Sequence, residues 1–156
     1  ADWVNHLSTL FPEVRLKRYL EMRGADAGPA DMLNALPALW VGLLYDDTAL
    51  NAAWDVVRHW SEDERHTLRR DVPREALRAR IKRIGLQDIA REIMSIARSG
   101  LSARRHLDPS GRDETVYLDV LEPIVETGLT QADRLITQFN RDWKEDIRPV
   151  FDAVTF

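Results

Sequence analysis

A mostly helical fold with one or a few β-strands is predicted by three features of this 156-residue sequence. Between Leu86 and Leu101, apolar residues recur at Leu86, Ile89, Ala90, Ile93, Ala97 and Leu101, the spacing of a helix with one buried face. Capping signatures precede other apolar runs, at Asp46 or Asp47, at Ser61-Glu62-Asp63-Glu64, at Asp113 and at Thr130-Gln131-Ala132-Asp133. Only Val14 to Arg23 alternates as a strand does. No repeat, low-complexity tract or strong linker divides the chain. Residues 1–156 therefore read as a single unit, with a strand at 14–23 and a helical portion over 31–156.

Taken in order, residues 2–12 suggest a short helical turn or two before Pro12 stops it. In the strand, Val14, Leu16, Leu20 and Met22 form a core face, and Arg15, Lys17, Tyr19, Glu21 and Arg23 form a polar one. Gly24 turns the chain into a loop ending at Pro29. From Met32 to Tyr45 the apolar segment has no polar side, which predicts a fully buried helix with Pro37 near its first turn. A helix over 48–60 would bury Leu50, Ala53, Trp54, Val57 and Trp60, and a short one from Ser61 should end before Pro73. Residues 73–85 are basic and give no assignment.

Gly100 falls near the expected end of the Leu86–Leu101 helix, and His106–Arg112 is rich in turn formers. Asp113 begins a helix to about Thr127, bent at Pro123 and stopped by Gly128, and Thr130 begins another to about Asn140. The tail Ile147–Phe151 is expected to dock on the bundle, and at least four of the five tryptophans to pack in the core.

The net charge of -4 suggests neither a nucleic-acid nor an anionic-membrane partner, although its distribution is uneven. Residues 1–57 and 107–156 are acidic, at -4 and -6, whereas residues 58–106 carry thirteen basic and seven acidic side chains. No aromatic lies between Trp60 and Tyr117 to stack on bases, so this basic segment reads as a solvated face or one packed on an acidic neighbour. The absence of cysteine removes disulfides, thiolate catalysis and cysteine-ligated zinc. No run approaches the ~18 apolar residues of a membrane span, and no signal peptide is visible, so the expected location is cytoplasmic. The non-methionine start and the lone strand, which cannot satisfy its own backbone, together suggest a fragment.

The polar face of the strand is the strongest functional candidate. Glu21 and Arg23 lie two strand rises apart, roughly 7 Å, and set a hard oxygen ligand beside a phosphate-binding fork. That combination suits nucleotide chemistry; the other reading is a solvated face with cross-strand ion pairs. His6, His59, His66 and His106 show no metal-ligand spacing, and His6 is set apart only by its nearness to the strand. Nothing in the sequence assigns roles to His6, Ser8 or Thr9.

At Asp2-Trp3, His6-Leu7-Ser8-Thr9, Phe11 to Lys17 and Tyr19 to Asp26, the sequence closely resembles the plant and proteobacterial class of glutamate-cysteine ligase. The likeness continues through Leu36 to Asp46, Val72-Pro73-Arg74 and Pro149-Val150-Phe151. The resemblance implies a glutamine-synthetase-like α+β carboxylate-amine ligase, of which this chain would be the carboxy-terminal, mostly helical part. It implies an ATP-dependent joining of the glutamate side-chain carboxylate to the cysteine amine through an acyl phosphate, the first step of glutathione synthesis. Within that frame Glu21 would be a Mg2+ ligand, Arg23 a catalytic clamp on phosphate, and Arg15 and Lys17 would assist anionic substrate or nucleotide. Glutamate, cysteine, ATP and Mg2+ would be handled by the complete enzyme with its missing amino-terminal portion. The chain alone is expected to be inactive and to hold no cofactor tightly. The competing reading is a helical protein-interaction module that reuses the scaffold through its strand edge or basic segment.

Overall fold

A computed structural model describes residues 2, 3, 6, 9, 12–25 and 28–154. The described elements run β1 (Val14–Leu16), β2 (Leu20–Met22), α1 (Ala30–Leu44), α2 (Asp47–Val57), α3 (Glu62–Glu75), β3 (Arg80–Ile81), β4 (Ile84–Gly85), α4 (Leu86–Arg104), α5 (Glu122–Thr127), α6 (Gln131–Arg141) and α7 (Pro149–Ala153). Short 3-10 segments at Ala76–Arg78 and Glu114–Leu121 link them. The fold is mostly helical, as the sequence predicts. The expected turn over 2–12 lies largely outside the described residues. No described helix is long and apolar enough to cross a membrane.

The body is organised by the crossing of α1 and α4. Small residues meet there: Ala35, Ala38 and Gly42 of α1, and Ala97 and Gly100 of α4, are all buried. A Cβ built on Gly100 would strike the Gly42 carbonyl oxygen and lie 2.9 Å from the Ala49 Cβ. One built on Gly42 would run into the Ala97 backbone. Gly100 is thus an interior contact and not the expected helix stop; α4 continues to Arg104 and ends at Arg105 in the left-handed region (φ 54°). Around the crossing, Leu43, Met94, Leu101 and Leu118 complete one apolar cluster, with Leu118 supplied by the 3-10 segment Glu114–Leu121. A second cluster gathers Leu68 of α3, Ala79, Ile81 of β3 and Ile89 of α4, and Ile93 borders both.

The capping residues act as read from the sequence. Asp46 accepts the Ala49 amide at 2.9 Å to start α2. Ser61 and Glu64 form a reciprocal box on α3, and Thr130 and Asp133 form another on α6. Arg78 reaches Asp133 at 3.0 Å, and these bonds hold the Asp133 carboxyl down at about 2, with Thr130 the largest cause. Gly128 closes α5 at φ 71°, as expected.

Several expectations need correction. Pro37 lies in mid-helix, since α1 already begins after Pro29, and the α1 surface is only partly buried, with Leu33 exposed. Pro73 likewise falls inside α3, which runs on to Glu75. Packing on neighbouring elements outweighs the one amide hydrogen bond that each proline removes. In α2 the buried residue is Ala49, while Leu50 and Trp54 are exposed, because small side chains are what the close approach to α4 admits. Of the tryptophans, Trp40 and Trp60 join the apolar clusters, whereas Trp3 and Trp54 are exposed. In the tail, Ile147 and Phe151 are exposed and Pro149 and Val150 partly buried, and among the described residues none beyond Val125 joins either cluster.

The crossing gives a direct test. Gly100→Ala gains about 1 kcal/mol in helix propensity, yet its new methyl meets a backbone carbonyl that has no rotamer to move into. We expect a net loss of about 1–3 kcal/mol, read as a lower urea midpoint, against little change for Ser99→Ala on the exposed side of α4. An unchanged midpoint for Gly100→Ala would show that the helices can separate at no cost.

Candidate active site

The ten residues expected as one strand form a hairpin. An isolated strand cannot pair its own amides, and the chain resolves this by turning at Lys17–Tyr19. β1 and β2 are antiparallel, with Val14 opposite Met22, Arg15 opposite Glu21 and Leu16 opposite Leu20. Flanking bonds run from the Arg23 amide to the Glu13 carbonyl at 2.8 Å and from the Lys17 amide to the Tyr19 carbonyl at 2.9 Å. By the alternation of antiparallel ladders, the backbone groups of Val14, Leu16, Leu20 and Met22 then point away from the hairpin along its two outer edges.

The division into two faces survives this change, because directly opposed residues share a face. The nature of the apolar face does not: it is no core face within this chain, where Leu16 is 80% exposed and Val14 and Leu20 are also exposed. On the other face, three cations converge on one carboxylate. Arg15 Nε donates to Glu21 Oε2 at 2.7 Å, Arg23 Nη1 donates to Oε1 at 3.2 Å, and Lys17 Nζ stands 3.6 Å from Oε2. The turn therefore brings together all four residues singled out from the sequence. It sets Arg15 directly across from Glu21, which a single extended strand could not do.

The electrostatic consequence follows from that geometry. The hydrogen bond from Arg15 is the main cause holding the Glu21 carboxyl below its ordinary range, aided by the charges of Arg15, Lys17 and Arg23, and the same bond raises Arg15. Glu21 is ionised at neutral pH, and the four side chains together carry a local charge of +2. A face of this net charge can attract an anion with several oxygens, and it also contains the cross-strand ion pair, Arg15–Glu21, of the other reading. Among the described residues no group of three or more His, Cys, Asp and Glu could hold a metal ion, so Glu21 offers at most one ligand. Any bound Mg2+ would need further oxygens from a polyphosphate or from other protein segments.

One neighbour was not legible in the sequence. Glu13, at the foot of β1, pairs with Arg69 of α3 at 2.7 Å. Beside this pair a crevice of about 700 Å³ opens between the hairpin and α3, lined by Glu13, Gly24, Arg65, His66, Arg69 and Val72. His6 lies against Trp3, with ring centroids 5.6 Å apart, and not among the hairpin charges. Much of the basic middle segment is paired internally, as in Lys82 with Glu64 and Arg78 with Asp133.

The charge cluster predicts a titration. Because the folded pKa of Glu21 is depressed, its contribution to hairpin stability is present above the unfolded value of about 4.3 and is lost as pH falls through the folded one. Carboxyl-carbon NMR should show Glu21 titrating below the ordinary range, and Arg15→Ala should move it up more than Lys17→Ala does. Equal effects of the two variants would contradict the direct Arg15 bond.

The profile of glutamate-cysteine ligase family 2 (GCS2) matches residues 1–153. The chain is 44% identical over 155 residues to the chloroplastic glutamate-cysteine ligase of Arabidopsis thaliana, covering 99% of this chain and 28% of that protein. It is 43% identical to glutamate-cysteine ligase A of Oryza sativa subsp. indica and 42% identical to the Nicotiana tabacum ligase, again over 99% of this chain and over 30% and 28% of theirs. The chain thus spans less than a third of the length of these relatives. Their chloroplastic designation overturns the expectation of a cytoplasmic location. With a family match along nearly its whole length, this chain belongs to glutamate-cysteine ligase family 2.

Proposed function

We propose that this chain is the carboxy-terminal part of an ATP-dependent glutamate-cysteine ligase and that the polar face of the β1–β2 hairpin forms one wall of its active site. The observation that carries the reading is the convergence of Arg15, Lys17 and Arg23 on Glu21, in a chain matched to the family over residues 1–153. In the reaction, a glutamate side-chain oxygen attacks the γ-phosphorus of ATP and ADP leaves. The cysteine amine then attacks the resulting acyl phosphate, phosphate departs and the nitrogen loses its proton.

Negative charge builds on the transferring phosphoryl oxygens and then on the departing phosphate. A guanidinium fork answers that need better than an ammonium does, which favours an arginine over Lys17, and this reading gives the clamp to Arg23. Arg15 and Lys17, on the same face, help to hold the nucleotide or the anionic amino acid. Glu21 would be the residue of this chain to hold Mg2+, and the ion, when bound, would neutralise phosphate charge. The remaining ligands and most of the substrate site belong to parts of the ligase outside this chain.

Two assays test this. In the full-length enzyme, Glu21→Gln and Arg23→Lys should each lower turnover by orders of magnitude while the thermal midpoint stays nearly unchanged. The 156-residue chain alone should form no dipeptide from ATP, glutamate and cysteine. Normal turnover in both variants would remove the hairpin from the site and favour an interaction role; activity of the isolated chain would refute its dependence on the rest of the enzyme.

A further inference from the structure

Helix α6 carries an apolar stripe that the described residues of this chain cover only in part. In α6, Ala132, Leu135, Ile136 and Phe139 follow one another at helical spacing, and Trp143 continues the row just past its end. Ile136 is 59% exposed and Ala132 is exposed, as is Leu129 just before the helix, while Leu135, Phe139 and Trp143 are partly buried. None of these residues joins either apolar cluster of the body. Among the described residues, a polar tie joins α6 to the body, the Arg78–Asp133 bond at its first turn.

We propose that this stripe is an internal docking surface, covered in the complete protein by a segment of the same ligase polypeptide lying outside these 156 residues. The inference rests on the reading above that the chain works as part of a longer ligase. Three observations select that occupant. The relatives have roughly 70% of their length beyond the matched region, since the chain covers 28–30% of them. A second copy is a poor fit on area: an eleven-residue helix is about 16 Å long and about 10 Å wide, so a pair would bury well under the ~800 Å² per partner of a specific interface. Joined within one polypeptide, the same small area suffices, because the effective concentration of the covering segment is high. A membrane surface fits no better, because the polar side is not basic. From Gln131 to Arg148 there are four basic residues, Arg134, Arg141, Lys144 and Arg148, and four acidic ones, Asp133, Asp142, Glu145 and Asp146. The occupant's complementary surface is apolar, with a rim of mixed charge.

The test compares Ile136→Asp in the isolated chain and in the full-length natural protein, beside hydrogen exchange of α6 in both. The proposal expects α6 amides to exchange at least tenfold more slowly in the full-length protein. It also expects Ile136→Asp to lower the thermal midpoint there by several degrees while leaving that of the isolated chain unchanged. Equal exchange, or a variant without effect in the full-length protein, overturns it; so does a matching loss in the isolated chain, or concentration-dependent dimerisation of that chain abolished by the variant. Exchange and melting do not depend on catalysis. Protection without ligase activity would therefore sink the proposed function and leave this surface standing, and an intact mass of 156 residues for the natural protein would sink both.

Discussion

The structure depends on a backbone contact between two helices. Where α1 and α4 cross, Gly42 and Gly100 bring main chain against main chain, and Ala35, Ala38, Ala49 and Ala97 leave the space that this requires. The approach sets how far Met94 and Leu101 reach toward Leu43, and it determines where the 3-10 segment Glu114–Leu121 can insert Leu118. Further connections are then laid over the crossing: Gln87 donates to the Val125 and Glu126 carbonyls at 2.9 Å, and Arg98 bridges to Asp119 at 2.8 Å. A rigid body of this kind gives the hairpin an anchorage without supplying its chemistry.

The hairpin obeys a different constraint. Its two strands are held together by cross-strand pairing and by the attraction of three cations for one carboxylate, while Val14, Leu16 and Leu20 of its apolar face stay exposed. A two-stranded ribbon is at best marginally stable alone. At both ends of the described chain, apolar side chains such as Leu16 and Ile136 stay exposed and join neither apolar cluster of the body.

Much of the helical plan was legible because it rests on local chemistry. Ser61 with Glu64 and Thr130 with Asp133 announce helix starts through bonds made within four residues, and the apolar period of 86–101 needs no distant information. The grouping of the four candidate residues was also legible, since the parity that separates Arg15, Lys17, Glu21 and Arg23 from their apolar neighbours is the same on a strand and on this hairpin. The failures share a physical cause in tertiary packing. Pro37 and Pro73 look like boundaries, but packing carries α1 and α3 through them. Gly100 looks like a terminus, and its meaning lies in a partner 58 positions away at Gly42. Trp54 and the tail were assigned to the core because apolar residues at helical spacing do not say which body they face. The Glu13–Arg69 tie joins two elements that no local pattern connects.

The connector Lys17–Tyr19 has a consequence for how this region can vary. Arg15 and Glu21 share a face because the pairing keeps an even number of steps between them. If one residue were inserted and the turn kept its length, the register would slip and every side chain of β2 would change sides. Glu21 would then leave Arg15 and Lys17, taking Arg23 with it, and Leu20 would come to lie opposite Arg15, with no change to any of the four residues. Reading frame along the ribbon is therefore as much a determinant of the charge cluster as the identity of its members, and length change in this loop is equivalent to rewriting the site.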